Sequence, residues 1–560
     1  MLRVKVPLTA VLAIVLATAA CQRAETRRRV TSSGRAVYPA LSPDGSRLAY
    51  AEPHCRGNAC AYGILVRDLG TTAVRNLGVE ATVIWTMRWS PDGSVLLFTG
   101  IAGKGWATYL VPAAGGSAIR VAPECAILSP DGRSLLWTAE MGRGSEHHVE
   151  VGGLPGTRFV IRGYAEYFML ETAVPDSRWI IVRVDAGEKR DELRAVDLTG
   201  AEGGSFLATG LGAAAVLASR DAVWLQVDGE AQGTVNILRV PFDRQTGQFA
   251  TKAETVYTGD SAGSPAIFSV TADGRTLALL EARTEFGGWA TSMEDVRSGN
   301  LPAGRRLLSG VTQQPGLRIS PDGERLLVKR EGRWSVAPFA GGKETPLGEG
   351  IEDARWNNAA TLRVKEKGPR GSLLSLIDAL TGARSASFEL TEAANDFVSL
   401  PRGRWAWIGE WGTVLNVQGP DDKAVRRVPI PGFTQTISLD ATADGRQVGV
   451  FGYGEPAADS PLAVSVISLD DGQVRLWWSD TGYDDSGGAH WLPDGSLLLP
   501  VLESPGITGL FRVYGPGKVK KLGVVPRALA DFTVSQDLRR SAVVTLSVVG
   551  DIWLRSHAEK

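Results

Sequence analysis

Ser42-Pro43-Asp44-Gly45 stands just ahead of Leu48-Ala49-Tyr50, and the same order returns as Ser90-Pro91-Asp92-Gly93 ahead of Val95-Leu96-Leu97-Phe98. Further copies are Ser129-Pro130-Asp131-Gly132, Ser320-Pro321-Asp322-Gly323 and Pro493-Asp494-Gly495, with Ala272-Asp273-Gly274 and Ala443-Asp444-Gly445 as shorter forms. Each residue has a mechanical role in a tight turn. Proline presets φ at the first corner, aspartate bonds its own backbone, and glycine accepts a positive φ cheaply.

The runs after the turns, such as Leu326-Leu327-Val328 and Leu497-Leu498-Leu499, are apolar without alternation. Such strands are expected to be covered on both faces. Later in each repeat come a second strand, such as Tyr62–Leu69 or Asn236–Val240, a glycine-containing turn and another short strand. One repeat therefore holds about four strands.

Asp44, Asp92 and Asp131 are 48 and 39 residues apart, and Asp273 and Asp322 are 49 apart, which is the length of a propeller blade. The gaps hold degenerate copies at Pro175-Asp176-Ser177, Ser219-Arg220-Asp221, Asn357-Asn358, Arg402-Gly403 and Gln536-Asp537. The sequence thus predicts an all-β chain of about twelve four-stranded blades. Closed propellers have four to eight blades, so two rings of six are expected, over 35–309 and 310–560, with seven plus five as the alternative. The last repeat runs out before a fourth strand, and a strand near Arg28 to Ser33 is expected to supply it, because pairing the chain ends removes open edges.

The repeats resemble those of the periplasmic TolB family and of the propellers beside the catalytic domains of dipeptidyl-peptidases and prolyl oligopeptidases. They also resemble the sensor-like propellers attached to bacterial serine/threonine kinases. The resemblance runs from about residue 35 to the end and implies the fold; it transfers function poorly, because the repeated residues are structural in all these families.

Residues 1–20 have the layout of a secretory signal: Arg3 and Lys5, an apolar run from Val6 to Ala20, and small residues before Cys21. This segment resembles a bacterial lipoprotein signal, with Thr18 where that family prefers Leu. The resemblance implies a lipid on Cys21 and, with Gln22 next, an outer-membrane address facing the periplasm. Residues 21–34, including Arg27-Arg28-Arg29, are then expected to form a solvated tether.

Among 560 residues, 44% are hydrophobic and 22% charged, which fits a globular chain, and the 66 glycines and 29 prolines fit many turns. The net charge of -1 supplies no field for nucleic acid. Cys55 and Cys60, in the segment His54–Cys60, are read as a local disulfide in an oxidising compartment. A zinc site from His54 and the two cysteines lacks a fourth ligand nearby. Cys125 is read as a small buried hydrophobe.

Motifs that carry chemistry are few. Gly259-Asp260-Ser261-Ala262-Gly263 matches a nucleophile-elbow pattern, but a strand rather than a helix is expected after it. Adjacent His147 and His148 point to opposite faces of a strand. Asp470-Asp471 and Asp484-Asp485 lack the spaced carboxylates of a calcium loop. No phosphate loop or kinase motif occurs, and no peptidase domain is expected after the last repeat. Of the 16 tryptophans, Trp89, Trp405, Trp407, Trp477, Trp478 and Trp491 are expected mostly as core between blades, and Trp85 with them.

The sequence therefore predicts a lipid-anchored, non-enzymatic scaffold or sensor of the cell envelope, without metal or cofactor, binding a protein, peptide or glycan at its channel mouths. The alternative is a hydrolase or lyase with a site in a propeller channel. Acidic groups and a histidine converging there with raised pKa values would favour it.

Overall fold

The computed structural model describes residues 26–556, except 57–58, 104–105, 124, 139–145, 153–157, 163–167, 186–190, 209–214, 230–233, 261–267, 299–300, 302–303, 312–314, 391–392, 410–411, 455–461, 481–483, 486–487, 505 and 526; beside some of these only the backbone is described. Cys21, Ser261 and His557 lie outside the described residues, as do the side chains of His147, His148, Asp484 and Asp485.

The chain forms two six-bladed propellers. Blades 1–5 are antiparallel sheets over 37–81, 83–122, 126–162, 168–208 and 215–260, and blades 7–11 are sheets over 317–346, 351–389, 394–429, 433–480 and 484–525. Every clear motif copy turns the innermost strand of a blade into the second. So do the degenerate copies.

The turn is locked twice. Ser42 Oγ donates to Asp44 Oδ1 at 2.6 Å and accepts the Arg47 N–H at 2.9 Å. The same pair of bonds recurs from Ser90, Ser129, Thr271, Ser320, Thr442 and Ser535 to Asp92, Asp131, Asp273, Asp322, Asp444 and Asp537. At Asp494 the preceding hydroxyl is missing because Leu492 takes its place, and Ser496 Oγ donates to Asp494 instead, at 2.6 Å.

Blades 6 and 12 depart from chain order. Strands Thr276–Ser292 and Arg540–Ser556, each 17 residues long, pair antiparallel from Thr276↔Ser556 to Ser292↔Arg540. At one end they are the middle of blade 6, between inner strand Phe268–Val270 and outer strand Thr26–Arg29. At the other they are the middle of blade 12, between inner strand Ala528–Val534 and outer strand Arg305–Val311.

The rings therefore do not part at residue 310, which lies inside a strand of blade 12. A sequential boundary fails because both rings share one ladder. The N-terminal strand does pair with the C-terminal one, but it completes the first ring rather than the last repeat. Arg27, Arg28 and Arg29 are strand residues and not a tether.

Ring closure uses matching bonds. Leu41 N donates to Ser269 Oγ at 2.8 Å and Ala272 N to Pro43 O at 3.1 Å in the first ring. Ile319 N donates to Thr533 Oγ1 and Gln536 N to Pro321 O in the second, both at 2.9 Å.

The core lies between blades, as near-continuous apolar strands require. Ala49 and Ile64 of blade 1 share one cluster with Leu96 and Phe98 of blade 2, and Val448 and Ala463 of blade 10 share another with Ala406 and Leu415 of blade 9. Trp405, Trp407 and Trp478 are buried, whereas Trp85 is an exception at 46% exposure.

Trp89, Trp356 and Trp491 occupy the same place, just before the turn. Each indole N–H donates to a carbonyl of the preceding blade: Ala40 at 2.9 Å, Arg318 at 3.1 Å and Asp440 at 3.1 Å. The one described α-helix, α1 (Met293–Ser298), follows the shared ladder and buries Met293 and Val296. Among the described residues no helix is long and apolar enough to cross a membrane.

Candidate functional site

A cavity of about 1950 Å³ runs through the second ring and one of about 880 Å³ through the first. Their linings follow one positional rule. In every blade but the ninth, where Val398 is buried, the residue two before the first residue of the turn lines a cavity: Ala40, Arg88, Ile127, Thr172, Leu217 and Ser269 in the first, and Arg318, Arg355, Asp440, His490 and Thr533 in the second.

Residues four before the turn join them. In blades 2, 8, 9, 10 and 12 the inner strand carries a β-bulge immediately before that position, which holds Thr86, Asp353, Asp396, Ser438 and Asp531; all of these line a cavity except Asp396, which is buried beneath the lining. A bulge re-aims the side chain that follows it. At these positions the first channel mixes apolar and neutral polar side chains with Arg88, whereas the second is dominated by charged ones.

In the second ring ion pairs and hydrogen bonds of these side chains form a circuit through all six blades. Arg318 of blade 7 contacts Asp353 of blade 8 at 2.6 Å and Asp531 of blade 12 at 3.6 Å. Arg355 of blade 8 contacts Asp353 at 3.1 Å and Asp396 of blade 9 at 2.8 Å. Asp396, only 1% exposed, also accepts the Leu439 N–H of blade 10 at 2.7 Å. Asp440 of blade 10 accepts the Trp491 N–H of blade 11 at 2.9 Å, and His490 Nε2 donates to Phe532 O of blade 12 at 2.7 Å.

Burial acts on every member, and the partners decide the outcome. It pushes the Asp353 carboxyl up, but Arg318 and Arg355 outweigh it and hold the group well below the usual range. It pushes Arg355 down, but Asp396 and Asp353 more than restore its basicity. For His490 burial wins over Asp440 and Asp531, so the imidazole favours its neutral form. Arg363, reaching from blade 8 to Asp440 at 3.5 Å, is also held below its ordinary value by burial, because that one carboxylate offsets it only in part.

The first channel holds Arg88, whose Nη1 donates to Glu171 O and whose Nη2 lies 3.5 Å from Val216 O. Arg183 pairs with Glu171 at 2.6 Å. Cys125 lines this cavity, and its half-buried thiol, 3.8 Å from Thr99 Oγ1, is pushed up by burial.

Cys55 and Cys60 are bonded to each other across the hairpin of blade 1, with Cα atoms 4.0 Å apart. His54 faces Glu80 at 3.2 Å, so this trio is engaged without a metal. Among the described residues no group of three His, Cys, Asp or Glu side chains converges as a metal site.

The motif aspartates lie in turns rather than forming one site. The Ser42 hydroxyl, then Ser46 and Arg47, holds Asp44 down at about 2 against the effect of its partial burial. Ser90, then Ser94, does the same for Asp92. The channel residues were missed in the sequence because each looks like an ordinary strand residue within its own repeat. Their signal is positional, visible only when the twelve turns are aligned.

No family model and no curated protein matches the chain. Among solved structures, the crystal structure of the tricorn protease aligns at 12% identity and TM-score 0.26 over 83% of this chain and 46% of the protease, so the chain spans under half of that protein. A putative TolB from Agrobacterium tumefaciens aligns at 14% identity and TM-score 0.34 over 48% of this chain and 99% of its own.

Proposed function

We propose that this protein is an exported, lipid-anchored binding scaffold or sensor of the bacterial envelope, with its ligand site in the channel of the second ring. The observation that carries the reading is the cavity of about 1950 Å³ with charged side chains delivered to it from several blades by two repeat positions. Concave sites with a few fixed polar groups are where ligands bind.

Binding is favoured over catalysis by the pairing of the charges. Asp353 is neutralised by two arginines and His490 is held neutral against a carbonyl, which suits a preorganised recognition surface better than a carboxylate poised to carry a proton. Export is supported by the signal-like residues 1–20 and by the bonded Cys55 and Cys60. Anchoring rests on Cys21, since stable membrane attachment takes more than one acyl chain and a lipoprotein cysteine carries several.

The test is a crosslinking pull-down from native membranes, comparing wild type with Cys21→Ala. A specific partner recovered with the anchored protein and lost with the variant is the expected result. Equal recovery would overturn the anchored reading, and nothing above background from either would overturn the scaffold.

A further inference from the structure

The circuit of the second channel satisfies its members unevenly. Asp440 spends one carboxylate oxygen on the Ala441 N–H at 3.0 Å and the other on the Trp491 N–H at 2.9 Å. Arg363 reaches that carboxylate only through Nη2, at 3.5 Å. Its Nε is buried with no hydrogen-bond partner among the described residues, and the residue as a whole is 9% exposed.

Trp334, 2% exposed and lining the same cavity, likewise has a buried indole N–H with no acceptor among the described residues. Arg318 and Lys329 lie 5.4 Å from its ring centroid, so this part of the lining is cationic. Two buried donors without acceptors in one cavity ask for an acceptor from outside the chain, because a buried polar group left unpaired is costly.

The side of a guanidinium formed by Nε and one Nη is a two-pronged donor that matches two oxygens of one carboxylate or phosphate. Lysine cannot reproduce that fork. We infer that Arg363 anchors an oxyanion, a carboxylate or a phosphate, carried by the ligand of the second channel. The inference rests on the channel reading and sharpens it: the ligand is anionic where it meets blade 8. Arg355, which stands directly opposite Arg363 on the adjacent strand of blade 8, is already satisfied by Asp353 and Asp396 and leaves the task to Arg363.

The experiment is titration calorimetry of the full chain with inorganic phosphate and, separately, with succinate, on wild type, Arg363→Gln, Arg363→Lys and Asp440→Asn. Wild type is expected to bind at least one of the two saturably, and the preferred anion identifies the source. Arg363→Gln weakens that binding roughly tenfold or more, and Arg363→Lys recovers only part of it.

Asp440→Asn keeps an acceptor for one of the two backbone N–H groups and removes the competing charge, so it tightens anion binding. Misfolding cannot imitate that gain. Absence of saturable binding of both anions, or equal affinity in wild type and a folded Arg363→Gln, overturns the inference. The channel reading then stands or falls separately, on whether crosslinks form from the channel mouth.

Discussion

Glu281 and Asp551 stand directly opposite each other in the shared ladder, two carboxylates on one face of an antiparallel pair. Such like-charged neighbours are destabilising unless neutralised. The N-terminal strand supplies the neutralisation, with Arg27 on Glu281 and Arg29 on Asp551. Asp551 is further held by Thr31 Oγ1 at 2.9 Å and by the Gly34 N–H at 3.1 Å.

Arg29→Ala should therefore destabilise the first ring by about 1–2 kcal/mol, less than the loss of a fully buried pair because Arg29 itself is half-exposed. Urea unfolding checks it. The double variant Arg29→Ala, Asp551→Asn should recover most of the loss.

Deleting residues 547–560 removes the blade-6 half of strand Arg540–Ser556 while leaving Arg540–Leu546 to pair within blade 12. The expected outcome is selective: amide exchange accelerates in the inner strands of blades 1 and 6, at Val37–Leu41 and Phe268–Val270, and stays slow at Arg325–Arg330 of blade 7. Uniform acceleration would mean that the rings do not close separately.

The motif turns make stability depend on acid. Asp44 and Asp92 have folded-state values near 2, below the ordinary 3.8, so their contribution is full at neutral pH and is lost as pH falls from about 4 toward 2. In Asp44→Asn, Asp92→Asn the stability gap from wild type should be widest at pH 6 and shrink steadily as the pH falls toward 2.5, read from urea midpoints.

Arg355→Ala leaves Asp396 with its charge buried and its main partner gone. The loss should reach about 3–5 kcal/mol in the second ring. Asp396→Asn should cost less, since an amide oxygen still accepts the Leu439 N–H. Denaturant unfolding of the two variants side by side gives the order.

The turns were legible from sequence because serine, proline, aspartate and glycine each do a local job within four residues, and even Asn357-Asn358 and Arg402-Gly403 mark the right corners. The pairing of Thr276–Ser292 with Arg540–Ser556 was not. It joins distant segments, and only their unusual length without a turn hints that they run past one blade. The candidate site was encoded but dispersed. Arg318, Arg355, Asp440 and His490 become a group only because successive inner strands bring the same repeat position to one axis.

The measurement that tests the central claim most directly uses a photo-crosslinking residue at Asn358, at the second cavity, and at Arg220, which holds the same place in its own turn at the first. Irradiation in intact cells should give a specific adduct from position 358, weakened when Ser438→Trp narrows the second channel, and none from position 220. An adduct from position 220 alone, or one from 358 that the narrowed channel leaves unchanged, would contradict the account.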